Sequence, residues 1–498
     1  MSIRLSLDTR PLRNSRDLRL LLGGRAISAL GSAVTMVAAA LQAYQMTHSS
    51  LAVGALGMAE VVPMVAGMLI GGAIADAADR RLLILVTEPT AGVIVAGLAV
   101  NAACGHPRLW LLFLLTAASG AAAGLGAPAR PAAVATLVAV DQLPAAVALN
   151  ATVDKAAALA GPATAGLVIA RFGVTAAFTA DAASYLCCAL VAVRMRPLRP
   201  GGGGRAGLGR FTEGLGYLRR HRLVAGLLLI DVNAMVFGMP SALFPAIGTG
   251  TFHGGAAAVG LLYAAPAAGA LAGALTSGWI GKVRHAGRVL LASVTVWGLA
   301  ICGFGVAPDL LVGLILLALA GAADLVSEVL RSSLLQLSIP DRMRGRLSAL
   351  WLAQANAAPA LGNLEAGSAA AISTPAISVI SGGLACILGA ALVVGLCPAL
   401  ARARFCAAAG DAASAGQGEP AHRRSCVPRR AGGTSQDAIP ARGVRRPHMP
   451  GVRSTARGPP QGAPPSLLST TTTQCLHRKS PAGRRAVFTA TTSKIGER

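Results

Sequence analysis

Inside otherwise apolar stretches of this chain stand Arg25, Glu60, Asp154, Lys155, Asp181, Asp231, Asp324, Glu328, Arg331 and Glu365. Ionisable groups are costly in such surroundings, so they normally face a cavity or a partner and mark a path for ions or substrate. The chemistry they suit is the uptake and release of protons. That work needs a carboxyl whose pKa lies near working pH, which partial burial raises and a cationic neighbour lowers. Asp324, Glu328 and Arg331 fall at i, i+4 and i+7, on one helical face. Pairing of Glu328 with Arg331 would leave Asp324 the freer acid. Glu60 and Glu365 also lack a base nearby in sequence. For each of these three, a structural hydrogen-bonded acid is the alternative to a coupling role. Asp154 and Lys155 are adjacent, point about 100° apart on a helix, and need partners on other helices. Asp181 reads as a cap near a helix end.

Other chemistries find no support. There is no Ser/His/Asp set and no metal-ligand spacing, and the nine cysteines are scattered or buried in apolar runs. The Gly201–Gly204 run lacks the Lys-Ser/Thr that would follow in a phosphate-binding loop. No cofactor, no metal and no enzymatic activity are expected.

The elements that must position these residues are long and apolar. Twelve runs stand out: Leu18–Thr47, Leu51–Ala75, Leu82–Ala103, Leu109–Pro128, Leu143–Ala170, Val174–Val193, Leu223–Gly248, Ala257–Ile280, Val289–Ala307, Leu310–Ser338, Leu347–Ile372 and Pro375–Ala399. A bilayer span takes about 20 such residues. With no water to satisfy backbone amides, they must be helices. The first segment and the even-numbered breaks hold 22 Arg and Lys, while the odd breaks hold only Arg108 and Arg171. Basic loops stay inside, which places both termini and the long central loop in the cytoplasm. The basic start runs into a span too long for a cleavable signal. The net charge of +24 divides between the inner loops and the far C-terminal region, so nucleic acid is not an expected partner.

The expected class is an all-α polytopic membrane protein of two pseudo-symmetric six-helix bundles. Residues 1–17 form a cytoplasmic start, 18–194 the first bundle, 195–222 a glycine-rich linker, 223–404 the second bundle, and 405–498 a basic disordered tail. The end of the linker, Phe211–Arg222, has the pattern of a short surface helix. The halves echo each other. Gly71–Arg81 corresponds to Ser277–Arg288, Arg25 to Asp231, and Arg130 to Arg331. Repeats of this kind are typical of secondary transporters, which rock about a central site. Arg25 and Asp231 could then pair across the axis, or each could pair with its own neighbours.

The segment Gly72-Ala73-Ile74-Ala75-Asp76-Ala77-Ala78-Asp79-Arg80-Arg81 resembles the signature loop of the major facilitator superfamily, Gly-x-Leu-Ala-Asp-Arg-x-Gly-Arg-Arg. Gly72, Asp76, Arg80 and Arg81 match; Ala77 and Asp79 depart from it. Asp79 is similar to the branch holding enterobactin exporters and drug efflux proteins. So are Ser49–Gly54, Pro128-Ala129-Arg130, Gly161-Pro162, Phe237–Pro240, Leu261–Pro266 and Leu361–Gly367.

The resemblance implies a proton-driven exporter of a small organic compound, acting as a monomer with lipid, substrate and protons as its partners. A siderophore of the enterobactin kind is the first substrate class, and amphipathic drugs are the alternative. A chain that no longer transports, with an aberrant C-terminal reading frame, is a second alternative. In the signature loop, Asp76 would meet a helix dipole and pair with Arg80 or Arg81 as a gating latch; simple topological anchoring is the other reading. Gly161, Pro162 and Gly166 would kink a helix and seal one end of the pathway, or merely pack.

Overall fold

The computed structural model describes residues 8–198, 216–218 and 221–403. The tail, most of the linker, the bulk of Phe211–Arg222, and the side chains of Asp76 and of 341, 342, 344–346, 348 and 349 lie outside the described residues. All regular structure among the described residues is helical. The long helices are α1 (Arg16–Thr47), α2 (Ser50–Ala77), α3 (Arg80–Ala103), α4 (Leu109–Gly126), α5 (Leu143–Val193), α6 (Arg222–Phe237), α7 (Gly255–Leu275), α8 (Ala286–Gly305), α9 (Leu310–Ser338), α10 (Asp341–Ile372) and α11 (Pro375–Leu396).

Local chemistry sets many of these boundaries. Ser15, Ser49, Asp79, Asp309 and Thr374 each accept a hydrogen bond from an amide in the first turn of the helix that follows. This satisfies donors that the helix itself cannot. The outward faces carry Val62, Leu69, Val93, Leu114, Leu186, Leu299 and Leu388, all exposed. Helices apolar on every side belong in lipid, not water.

Among the described residues ten stretches are long and apolar enough to cross a membrane, against the twelve expected. Two features account for the difference. First, the two runs expected as separate spans follow one another within α5. Its 51 residues would reach about 75 Å at 1.5 Å per residue, far beyond the roughly 30 Å of a hydrocarbon core. It is divided at Gly173, where φ is 80° and ψ 172°. Second, α10 is 32 residues long but begins with Asp341, Arg342, Arg344 and Arg346 and carries Asn and Gln further on. It falls short on apolarity rather than on length. The seventh expected run is also broken: α6 stops at Phe237, and short helical pieces follow from Ser241 to Thr251 around Pro240 and Pro245.

Packing divides by sequence. In residues 8–198, α1 and α3 lie against α5, and α2 and α3 against α4. In residues 221–403, α9 lies against α7 and α8, α11 against α6 and α8, and α10 against α6 and α11. Buried apolar clusters follow the same division. Val224 to Leu400 form one, Leu18 to Leu198 another, and Val34 to Tyr185 a third that takes in only Ala242 and Val259 from beyond. Between the halves the main contacts are α2 with α10 and α5 with α7.

Gly173 occupies a backbone region essentially closed to side-chain-bearing residues. Gly173→Val is expected to cost about 1–3 kcal/mol of stability, read as a lower unfolding temperature of the detergent-solubilised protein. An unchanged transition would mean that the break tolerates a Cβ.

Candidate functional site

The two contacts between halves are made by glycines. A Cβ on Gly260 of α7 would strike the Pro162 carbonyl at 2.5 Å and the Gly166 backbone at 2.6 Å. A Cβ on Gly54 of α2 would strike the backbone of Asn363 and Leu364, and one on Gly367 would lie 2.6 Å from the Ser50 carbonyl. Backbone meets backbone at both crossings, as small residues allow in membrane packing. Gly161 packs on Ala33 of α1. Gly161, Pro162 and Gly166 therefore form a close-packed seam in which α5 runs on as helix through Pro162. Gly54, Gly166, Gly260 and Gly367 lie within about two turns of the helix ends that carry the odd-numbered breaks.

Between the halves lies a cavity of about 290 Å³. Its polar lining comes from Ser32, Thr35, Glu60, Thr116, Ser119, Asp181, Tyr185, Ser241, Tyr263, Asn356 and Asn363. Among the described lining residues there is no Arg, Lys or His. Asn363 knits the wall of the second half. Its side-chain oxygen accepts from Ser241 Oγ at 2.7 Å and from the Ala242 amide at 3.0 Å, and Tyr263 donates to the Ser241 carbonyl at 2.9 Å.

Of the acids singled out from sequence, Glu60 lines this cavity, makes no hydrogen bond or ion pair, and lies against Gly120 of α4. Asp324 instead borders a separate space of about 20 Å³ beside Gly238, Met239, Pro240, Phe244 and Trp297, and its Oδ1 is sealed without a hydrogen bond. That volume holds about one water. Glu365 is half buried and outside the cavity lining.

Asp181 is not a helix cap. It is fully buried in the second arm of α5, accepts from Ser184 Oγ at 2.9 Å, and faces the cavity. Its distance from the Gly173 break, about two turns, carries it past the capping positions.

The charged residues pair differently from the sequence expectation. Arg331 does not pair with Glu328. It reaches Asp231 of α6 at 2.8 Å, with both side chains about 5% exposed or less, and it donates to Ser327. Gln354 of α10 donates to the other oxygen of Asp231 at 2.8 Å. Glu328 meets Lys155 of α5 at 3.7 Å, an ion pair between the halves. Arg25 does not meet Asp231 but binds Asp154 at 2.9 Å, with Asn150 donating to the second oxygen. Each of Arg25 and Asp231 thus has a partner in its own half. Helical direction explains this: a buried carboxylate takes the base that faces it across a helix contact, whatever lies next along its own face.

Sequence reasoning missed Glu88. It is buried in α3, pairs with Arg130, and accepts from Ser28 Oγ at 3.4 Å. The signal was present: Thr87-Glu88-Pro89-Thr90 places a carboxylate within an apolar run. Arg130 and Arg331, matched by the sequence echo, both clamp a buried carboxylate of a neighbouring helix.

The signature-loop arginines bond to backbone carbonyls of their own half, and the Asp76 side chain of the expected latch lies outside the described residues. Arg81 donates to the carbonyls of Ala192 at 3.1 Å and Val193 at 2.5 Å, closing the C-terminus of α5. Arg80 donates to the Ala132 carbonyl at 3.1 Å. Asp79 caps α3 and also accepts from the Leu198 amide, at 2.9 Å each. These bonds stitch the first half to itself. Gly72 has open space around it.

The family model of transmembrane secretion effectors matches residues 9–408. The enterobactin exporter EntS of Citrobacter koseri is 32% identical over 381 residues, covering 76% of this chain and 91% of the relative. EntS of Shigella boydii serotype 18 is 32% identical over 365 residues, covering 73% and 88%. Among solved structures, a bacterial homolog of the human lysosomal transporter Spinster, inward-facing and unoccupied, superposes with a TM-score of 0.61 at 14% identity, covering 79% of this chain and 98% of that one. The POT family transporter PepTSo gives 0.60 at 13% identity, covering 78% and 98%. These two likenesses concern the fold.

The buried Asp231–Arg331 pair yields a double-mutant test. Arg331→Met alone leaves a buried carboxylate unpaired and is expected to cost about 3–5 kcal/mol. Adding Asp231→Leu should restore most of the loss, since the Gln354 amide keeps its bond to the Leu228 carbonyl. Thermal unfolding of both variants decides it; equal losses would mean that the pair is not the unit described.

Proposed function

The chain belongs to the transmembrane secretion effector family, within the major facilitator superfamily, and on that footing we propose that it is a proton-driven exporter of a small organic compound. It is a membrane-embedded transporter and not an enzyme. The proposal reads the chain as twelve crossings. Gly173 separates two within α5, and α10 crosses despite its polar start. Residues 18–194 and 223–404 are its two moving bundles, with both termini cytoplasmic and the protein working as a monomer in the bacterial inner membrane.

The observation that carries the reading is the cavity. It lies between the halves and is closed by the glycine crossings at the end of the odd breaks. On the positive-inside assignment that end is the outer one, and the proposal takes the cavity to open toward the cytoplasm, ready to load an exported compound. Kinship with enterobactin exporters makes a siderophore of that kind the first substrate class. The lining favours amphipathic amines as the second, because it offers Glu60 and Asp181 and no lining base.

Purified protein in liposomes with an imposed pH gradient should accumulate either enterobactin or ethidium against its own gradient. Dissipating the pH gradient should abolish that accumulation. Transport of both compounds that ignores the gradient would exclude proton drive; accumulation of neither would exclude both substrate classes.

Asp76 remains the gating residue of this proposal, placed where α2 meets the loop. Asp76→Asn keeps the shape and removes a charge worth about 1 kcal/mol beside a helix dipole. Export should slow roughly fivefold with membrane abundance unchanged. Wild-type rates from the mutant would count against any gating role.

A further inference from the structure

We propose that Asp181 is the residue that takes up and gives up the transported proton. This inference rests on the cation-coupled reading above. Four observations carry it.

Asp181 borders the cavity yet is fully buried, on the wall formed by α1 and α5. A space has been kept for it: a Cβ on Gly31 of α1 would overlap both Asp181 Oδ1 and Ser184 Oγ. The helices approach this closely only because position 31 is glycine.

Its neighbours are hydroxyls. Ser184 donates to Oδ1 at 2.9 Å, while Oδ2 makes no hydrogen bond and has the Thr35 hydroxyl within electrostatic range. One turn on, Tyr185 OH and Ser32 Oγ are hydrogen-bonded at 2.9 Å. A hydroxyl donates to a carboxylate and accepts from a carboxylic acid by rotating. The site can therefore hold both protonation states without moving backbone. Glu60, which lines the same cavity, makes no hydrogen bond.

No fixed cation pins the charge of Asp181. The bases of this half are committed: Arg130 to Glu88, and Arg25 to Asp154. The titratable groups facing Asp181 are Tyr185 and Cys188 on its own helix, Glu88 on α3, Arg130 beyond it, and Glu60 and Tyr263 across the cavity. Glu88 is itself held by Arg130, which leaves the proton as the counter-charge of Asp181.

A polar seam continues from the cavity into the first half. Asp181, Ser184, Tyr185 and Cys188 fall at i, i+3, i+4 and i+7 on α5, against Ser28, Gly31, Ser32 and Thr35 with the same spacing on α1. The seam ends at Ser28, Glu88 and Arg130. These residues position and polarise; the proton itself moves between the Asp181 carboxyl and water in the cavity.

The test uses the purified full chain and infrared spectra recorded across a pH series. A carboxylic C=O band that appears on acidification should be lost in Asp181→Asn and kept in Glu60→Gln. Ser184→Ala removes a donor to the ionised form, so the midpoint of that band should move to higher pH. This milder variant guards against a failure of Asp181→Asn to fold. Survival of the band in folded Asp181→Asn overturns the proposal, and so does an unmoved midpoint in Ser184→Ala. The measurement needs no substrate. A chain whose Asp181 titrates but which accumulates nothing in liposomes keeps this site and loses the export reading; the reverse result moves the coupling acid elsewhere.

Discussion

Everything in this architecture depends on two places where backbone touches backbone. Gly260 against Pro162 and Gly166 joins α7 to α5, and Gly54 with Gly367 joins α2 to α10. Contact this close is available only where a Cβ is missing, so it fixes both the distance and the position of the crossing. The two crossings lie at the same end of the molecule. The two halves so joined still enclose a space between them, the cavity of about 290 Å³. The buried apolar clusters are nearly confined to one half or the other, so each half keeps its own core if the crossings part and the halves rock.

The distribution of charge fits the same division. The buried pairs, Arg331 with Asp231 and Arg130 with Glu88, lie within a half. Breaking such a pair strands a charge in a poorly solvated place, which costs several kcal/mol. The pair that bridges the halves, Lys155 with Glu328, is longer at 3.7 Å, and its side chains are 66% and 38% exposed. Exposed pairs contribute about 0–1 kcal/mol. Rocking would therefore break the inexpensive bridge and spare the expensive ones. Even the signature-loop arginines obey this, since Arg80 and Arg81 bind carbonyls of their own half.

How much of this the sequence disclosed follows from how each feature is encoded. Membrane spans are written in length and apolarity, which are local, so the runs were legible. The break inside α5 was legible too, since Gly173 falls between the runs Leu143–Ala170 and Val174–Val193. α10 was legible as a run but carries enough polar residues to fall short on composition. Ion pairs are set by which faces of distant helices meet, and sequence spacing sees only one face at a time. Spacing offered Glu328 to Arg331; tertiary packing gave Arg331 to Asp231, 100 positions away. Glu88 was visible by the rule that found the other acids and was simply overlooked. Asp181 was misread because nearness to a break suggested a cap, whereas its burial depends on Gly31 of another helix.

The lining itself says something about selectivity. Its donors and acceptors are mostly hydroxyls and amides, which adapt to many ligands, and its fixed ionisable groups are carboxyls with no lining base. A carboxylate in a partly dehydrated cavity needs a counter-charge. On the proposed reading, a proton supplies it in one half of the cycle, and either a proton or a cationic group of the ligand supplies it in the other. Coupling then arises from charge balance in the cavity and not from shape recognition of one compound. Adaptable hydrogen bonding together with charge-based coupling permits a range of amphipathic compounds. It disfavours small, strongly anionic ones, whose charge would add to that of Glu60 and Asp181 with no lining base to meet it.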